Sequence, residues 1–259
     1  MAFSMDGIII DRIQMGIAED FDGNVLYTLT QLADATIDVT AESKDATDAT
    51  GTLVKTFYTA KAGTFTANNA MLDFNIMAAG TGSPKQIASS SAKIVMPKIV
   101  TVAKGTETLT ITGVKEGTVR VEGIASNGTM VKNYTNDVAA AEDKFSVSGE
   151  TLTLPKDTSV AKFVVKYDRD VSSGVKVVNR ADEFPSTIKL TLKALAVDPC
   201  SADTLRACYI VLPSFQVSPE TSLSLTTDAQ LEYKGDLQVA YCDDDKTLYE
   251  IYFAEDDVE

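Results

Sequence analysis

The chain has 259 residues, 44% of them hydrophobic, and carries a formal net charge of -14. This content is enough for one large core or two smaller ones, and the negative charge argues against binding to nucleic-acid phosphates or anionic lipid. The sequence contains no histidine, so it lacks the commonest general base and metal ligand. We therefore expect a protein that is not an enzyme and that carries no cofactor or metal.

The three cysteines, Cys200, Cys208 and Cys242, are widely spaced and form no CxxC pair. Their odd number argues against a disulfide framework or a zinc site and favours small buried side chains or free thiols. The N-terminal residues lack the basic segment of a secretion signal. No stretch approaches the roughly 20 apolar residues that cross a bilayer. We expect a cytoplasmically made protein without a membrane partner.

Alternating apolar and polar residues recur along the chain and predict a mainly β fold. In the first quarter this pattern covers Ile9–Ile17, Leu26–Val39, Thr52–Phe57 and Gly63–Thr66. Between Val39 and Gly51 the pattern stops, and the small polar residues of TAESKDATDATG predict a long exposed loop. Such a loop is either an interaction element or a passive mobile segment.

One segment, NNAMLDFNIMAAG, predicts a helix over residues 69–79. Asn68 or Asn69 is the candidate N-cap, and Gly80 lies where a C-cap glycine belongs. A single helix among many strands has to lie against a sheet to bury its apolar face.

From Lys98 onward the sequence pattern changes. Short strands follow one another, separated by the turn signals KG, EG, NG and SG, which is typical of a small Ig-like β-sandwich. We predict an inserted β-sandwich domain at residues 98–178, while residues 1–97 and 179–259 form a second β domain. The alternative is one continuous β domain.

The final third returns to long strands. Thr187–Val197 alternates well, with Lys189 and Lys193 opposite its apolar residues. Ala207–Val217 is more apolar throughout, as in a strand buried on both faces. Pro213 inside it predicts a bulge, a break or an edge position.

The closing segment, residues 235–259, predicts a β-hairpin with a four-residue loop at Asp243–Lys246. From Glu232 to the end there are ten acids and two lysines, so -8 of the net charge lies here. The return strand also carries apolar groups on both faces. Neighbouring copies that cover the apolar groups explain this combination. The alternative is an acidic edge that prevents aggregation.

At this point the sequence resembles the tail tube (major tail) proteins of tailed bacteriophages. The resemblance rests on four features in order: the strand pair with its long polar loop, the helix segment NNAMLDFNIMAAG, the inserted β-sandwich, and the C-terminal LSLTTDAQLEYKGDLQVAYCDDDKTLYEIYFAEDD. It implies a tail-tube-type β-sandwich or barrel with one flanking helix. It also implies hexameric rings that stack into a tube, with other tail proteins as further partners, in a virion made in the host cytoplasm.

The resemblance further implies an acidic lumen through which DNA passes without sticking. Candidate lumen acids are Asp236, Asp243, Asp244, Asp245 and Glu250. The long loop is the candidate ring-to-ring contact, through Glu42, Lys44, Asp45 and Asp48. The inserted sandwich would decorate the outside of the tube.

Two other functions remain open on the sequence alone. The Ig-like strands at 98–178 fit a β-sandwich adhesion protein or an accessory protein of the capsid or baseplate. A carboxylate-based hydrolase would use two acids roughly 5–10 Å apart, but the chain has no tryptophan and shows no aromatic cleft for a sugar.

Overall fold

The computed structural model describes residues 7–30, 32–199, 201–220, 222–223, 226, 230–239 and 246–258. The chain divides into two compact units. Unit 1 consists of Met1–Lys85 and Val177–Glu259, and unit 2 is Gln86–Lys176.

The described residues form seventeen strands and one helix, which confirms the prediction of a mainly β fold. The elements up to the end of unit 2 are β1 Ile9–Glu19, β2 Val25–Thr30, β3 Leu32–Thr47, β4 Leu53–Asn69, α1 Phe74–Thr81, β5 Gln86–Ile87, β6 Ile94–Ala103, β7 Thr108–Thr110, β8 Arg120–Ile124, β9 Met130–Asn136, β10 Lys144–Ser148, β11 Thr151–Thr153, β12 Lys162–Val171 and β13 Val175–Lys176. The remaining elements are β14 Thr187–Asp198, β15 Ser201–Val217, β16 Leu231–Leu237 and β17 Glu250–Val258.

Unit 1 is built on an eight-stranded sheet in the order β2-β1-β14-β15-β16-β4-β3, with β17 also paired to β15. One face of this sheet carries the core. An aromatic cluster of Phe65, Phe215 and Tyr233 lies at its centre, with ring centroids 5.8 to 6.3 Å apart. Burial of three large rings is a major favourable term in the stability of this unit.

The helix is shorter than predicted and begins later. Asp73 is the N-cap, since its side chain accepts from the backbone N–H of Asn75. Gly82, at φ 71°, ends the helix in the left-handed conformation. The predicted N-cap was wrong because Asn69 completes β4 instead: its side chain donates to the Thr30 carbonyl and accepts from the Met71 N–H, both at 2.9 Å.

The alternation predicted for Thr187–Val197 is confirmed, because Ile188, Leu190 and Leu192 of β14 are buried in the core. The bulge predicted at Pro213 is confirmed too. Ile188 pairs with Phe215 while Leu190 pairs with Leu212, so β15 has one extra residue there.

The predicted closing hairpin is wrong, because β16 and β17 pair with different parts of the sheet. β16 lies between β4 and the C-terminal end of β15, where Asp236 opposes Gln216. β17 pairs with an earlier part of β15, where Glu250 opposes Val211. The predicted loop at Asp243–Lys246 lies mostly outside the described residues, which resume at Lys246.

The predicted long loop is wrong as well, because its residues continue β3. Thr40–Thr47 of β3 pairs with Leu53–Ala62 of β4 to form a long hairpin, here called the arm, whose turn spans residues 48–52. The sequence pattern stopped because most of these residues are exposed on both sides of the hairpin. Without a buried face, a strand has no reason to alternate apolar and polar residues.

Unit 2 is a seven-stranded sheet in the order β6-β12-β8-β9-β10-β11-β7. Its two ends share one core, since Phe163 and Val165 of β12 cluster with Phe145 of β10 and Leu152 of β11. Unit 2 starts before the predicted residue 98, because β6 begins at Ile94 and pairs with β12 through Val171. A separate two-stranded sheet of β5 and β13 joins the two ends of the unit.

Candidate functional site

The candidate site is the face of the unit 1 sheet opposite the core, here called the polar face. On β16, Leu231, Tyr233 and Leu237 are buried, while Glu232 and Asp236 between them are exposed. Because side chains alternate across a strand, the acids of β16 point away from the core. The helix lies on the other side, since Ile76 belongs to the core cluster.

A cross-strand row connects the polar face over five strands. Its members are directly paired and therefore share a face: Asp38 of β3, Thr64 of β4, Asp236 of β16, Gln216 of β15 and Thr187 of β14. The Thr187 hydroxyl donates to Gln216 Oε1 at 2.6 Å, and Gln216 Nε2 donates to the Pro185 carbonyl at 2.7 Å. These bonds fix the Gln216 amide toward β14.

Glu250 lies on the same face as Asp236. It opposes Val211, and the extra residue at Pro213 brings Val211 and Gln216 to the same side of β15. The two carboxylates are therefore about 15 Å apart along the sheet. The hydroxyl of Tyr252 donates to Glu250, and this hydrogen bond raises the pKa of Tyr252.

The structure thus brings two of the five predicted lumen acids, Asp236 and Glu250, onto one face. Asp243, Asp244 and Asp245 lie outside the described residues. Sequence reasoning missed Asp38, which lies two strands from Asp236, or about 10 Å. No local signal could identify it, because its place depends on the register of β3, β4 and β16.

Lysines share the polar face with these acids. Lys234 of β16 is 3.1 Å from Glu232 and 3.9 Å from Glu220, measured from Nζ to carboxylate oxygen. Carboxylates outnumber basic side chains by one among the described residues of this face, with Glu19, Asp38, Glu232, Asp236 and Glu250 against Arg12, Lys189, Lys193 and Lys234.

The predicted contact residues of the long loop lie on the arm, and two of them stabilise the arm itself. Asp48 closes the turn by accepting from the hydroxyl and N–H of Thr50 and from the N–H of Thr52, at 2.7 to 2.9 Å. These bonds, chiefly the one from the Thr50 hydroxyl, lower the pKa of Asp48. Asp45 accepts from the Thr56 hydroxyl across the hairpin. Glu42 and Lys44 are exposed.

Comparison with known families gives a match over almost the whole described chain. The model of the YomU/Tube protein family matches residues 8–250. The chain belongs to the YomU/Tube protein family. It is therefore a structural protein of the phage tail tube and a component of the virion tail, as the resemblance implied. No curated protein matches the chain.

The described residues contain no group of three or more His, Cys, Asp or Glu side chains placed to hold a metal ion. Within the same residues, no helix is long and apolar enough to cross a membrane. Cys208, the one cysteine whose surroundings the structure describes, is buried in the sheet, and burial raises the pKa of its thiol.

Proposed function

We propose that this tube protein self-assembles into hexameric rings that stack into the tail tube, with the polar face lining an acidic conduit for DNA. The observation that carries the proposal is the combination of unpaired strand edges and exposed apolar side chains in unit 1. Along the described residues, β17 pairs only with β15, β3 only with β4, and β2 only with β1.

Exposed apolar side chains accompany these edges. Ile251 and Tyr252 of β17 and Val25 and Leu26 of β2 are each about half exposed in the single chain. An open edge with apolar residues is an aggregation hazard unless another strand covers it. Pairing with strands of identical copies removes the edge and buries these side chains, and closure into a ring leaves no edge.

The polar face supplies the conduit. Its carboxylates outnumber its basic side chains, and their repulsion of the DNA phosphates opposes binding of the duplex. The role is structural rather than enzymatic, with the zero histidine count in support. In this proposal the chain is made in the host cytoplasm, and its partners are its own copies and other tail proteins.

Electron microscopy of the purified protein tests the assembly. We expect six-fold rings and hollow tubes in negative stain. A strictly monomeric protein at high concentration, with no ring at any salt concentration, would contradict the proposal.

A charge variant tests the conduit. Asp236→Lys with Glu250→Lys reverses two acids of the polar face, so tubes of this variant should retain duplex DNA in low salt and release it as salt rises. The control, Glu142→Lys with Asp143→Lys, makes the same charge change at exposed positions of unit 2 and should retain none. Equal DNA retention by the two variants would contradict the assignment of the polar face to the lining of the conduit.

The adhesion or accessory role is favoured by one observation, the separate core of unit 2. Binding of the purified protein to host-surface glycan, lost on deletion of residues 86–176 and without any ring or tube, would favour that role.

A further inference from the structure

A cleft opens into unit 2 next to the place where β9 and β10 meet. These two strands pair at only two positions, Thr135 with Lys144 and Asn136 with Phe145, so the sheet is barely closed between them. The cleft has a volume of about 600 Å³, which lies within the range of about 300–1,000 Å³ that small-molecule sites occupy. Its size therefore suits a ligand.

The lining of the cleft is part apolar and part polar. The apolar part belongs to the core of unit 2, because Val119 and Phe145 are buried in that core and Val114 and Val147 pack against it. Five polar side chains line the cleft as well: Lys115, Glu116, Arg120, Asn136 and Glu150. Such a lining suits a ligand with one apolar face and several hydrogen-bonding groups.

The loop between β7 and β8 forms one wall of the cleft, and hydrogen bonds hold it on two sides. The Gly113 N–H donates to Glu150 Oε1 at 2.7 Å, and the Gly113 carbonyl accepts from the Asp170 N–H at 2.9 Å. The Lys115 N–H donates to the Asp168 carbonyl at 2.8 Å. Because this wall is fixed before a ligand arrives, the entropic cost of ordering it on binding is small.

Two polar groups at the cleft have hydrogen-bonding capacity left for a ligand. Arg120 Nη1 donates to the carbonyls of Gly117 and Val119, at 2.9 and 2.8 Å, and these bonds fix the guanidinium in place. All three guanidinium nitrogens carry donors, and the structure gives the other two no partner among the described residues. The Asn136 amide likewise has no partner within the described part of the chain, so it can both donate and accept.

The charges around the cleft balance, since Lys115 and Arg120 accompany Glu116 and Glu150. The excess of acids in the chain lies elsewhere. Unit 2 contains 12 lysines and arginines and 10 acids, whereas the rest of the chain contains 11 and 27. A strongly charged ligand gains little from a balanced set of charges. Neutral hydroxyl groups, which donate and accept, match these mixed side chains.

We propose that the cleft of unit 2 binds a neutral saccharide unit of a polysaccharide. The C–H face of the sugar ring meets the apolar lining at Phe145, and the sugar hydroxyls bond to Arg120 and Asn136. This binding is a second activity of the tube protein, and a single chain is sufficient for it. Copies repeated along a tube would add weak single contacts into stronger overall binding.

Saturation-transfer NMR tests the binding, because it detects bound sugar whether the protein is free or assembled. The probes are glucose, galactose, mannose, rhamnose and N-acetylglucosamine, each at about 10 mM, where a Kd of about 1 mM gives nearly full occupancy. We expect saturation transfer to the ring C–H protons of at least one of these sugars. No transfer to any of them would overturn the inference.

Two variants test whether the sugar lies in the cleft. Arg120→Ala and Asn136→Ala should each weaken its binding by about tenfold, with unchanged circular dichroism. The matched controls are Lys162→Ala, at an exposed cation of β12, and Asn133→Ala, at an exposed amide of β9 outside the cleft. Both controls should bind like the wild type. Binding that is equal in all four variants would overturn the assignment to the cleft.

Glucuronate and galacturonate test the neutral character of the ligand. Each differs from its parent sugar by one carboxylate, and we expect neither to bind more tightly than that parent. A uronate that binds about tenfold more tightly would show an anion site and overturn the inference. Tubes without sugar binding would overturn this inference alone, whereas sugar binding without rings or tubes would overturn only the proposed function.

Discussion

Unit 2 and unit 1 bury the apolar residues of their sheets in different ways. In unit 2, strands from both ends of the sheet contribute to one core, and the buried carboxylate of Asp157 has hydrogen-bond partners within the unit. In unit 1, three described strands pair along one edge only, and apolar side chains of β1, β4 and β17 are exposed. The units differ in how the core is enclosed: unit 2 uses both ends of its own sheet, whereas unit 1 leaves three strand edges open that the proposed assembly would cover.

The largest effect should come from the core of unit 2. Phe163 is fully buried and packs edge to face on Tyr134, with centroids 5.6 Å apart. Phe163→Ala should lower the free energy of unfolding of unit 2 by about 3–5 kcal/mol, while the unfolding of unit 1 and tube assembly remain unchanged. Calorimetry of the full chain should show the unfolding transition of unit 2 at a lower temperature than in the wild type.

The control is Val164→Ala, whose side chain points to the other side of β12 and is partly exposed. Val164→Ala should lower the free energy of unfolding of unit 2 by much less than Phe163→Ala does. Loss of tubes in folded Phe163→Ala protein would show that unit 1 depends on unit 2 and would contradict the independence of the two units.

The second effect concerns the centre of unit 1. A Cβ atom at Gly235 would lie 2.2 Å from the Gln216 carbonyl oxygen and 2.6 Å from the Phe215 ring. Gly235→Ala should therefore force β16 from β15 and destabilise unit 1 by about 3 kcal/mol, with loss of rings. The transition of unit 2 should not move.

Gly174→Ala in unit 2 provides the comparison, since the nearest atom, Ile94 Cδ1, is 3.5 Å from the new Cβ. This variant should keep the stability and assembly of the wild type. Rings of normal yield from Gly235→Ala would contradict the role given to β16.

The smallest of the three effects concerns the buried carboxylate of Asp157 in unit 2. Asp157 accepts from Ser159 Oγ and N–H at 2.6 and 2.7 Å and from the Tyr134 hydroxyl at 2.8 Å. These bonds, first those from Ser159, lower the pKa of Asp157. Asp157→Asn should cost unit 2 about 1.5–3 kcal/mol, as measured by urea unfolding at pH 7.

The pH dependence has a definite sign. Because the folded pKa is lower than the unfolded value of about 3.9, the stabilisation is present above that pH and is lost as pH falls through the folded pKa. The difference between wild type and Asp157→Asn should therefore shrink in acid. Asp143→Asn, at an exposed position, should show neither effect, and a constant difference down to pH 2 would contradict the assignment.

Much of the strand content could be predicted from the sequence, because Ile188, Leu190 and Leu192 report one buried face directly. The arm could not, since neither face of Thr40–Thr47 is buried and the pattern carries no information there. The pairing of β16 and β17 could not either. It is decided by long-range contacts, such as Tyr233 with Phe65 and Phe215, rather than by the nearness of the two strands in sequence.

In the candidate site, too, the sequence identifies some acids and only the fold brings in the others. Asp236 and Glu250 stand out in an acidic segment, so composition identifies them. Asp38 is separated from Asp236 by almost two hundred residues in sequence, and only the sheet register brings it near.

The small sheet that β5 and β13 form has a consequence for the history and the engineering of this chain. Gln86 pairs with Lys176 and Ile87 with Val175, so the two junctions of the intervening segment are about 5 Å apart. A gene could gain, lose or exchange that segment through a junction of this width while the strand order of the host sheet stays the same. A fluorescent protein whose termini lie close together could be grafted at the same place, to display cargo on a tail.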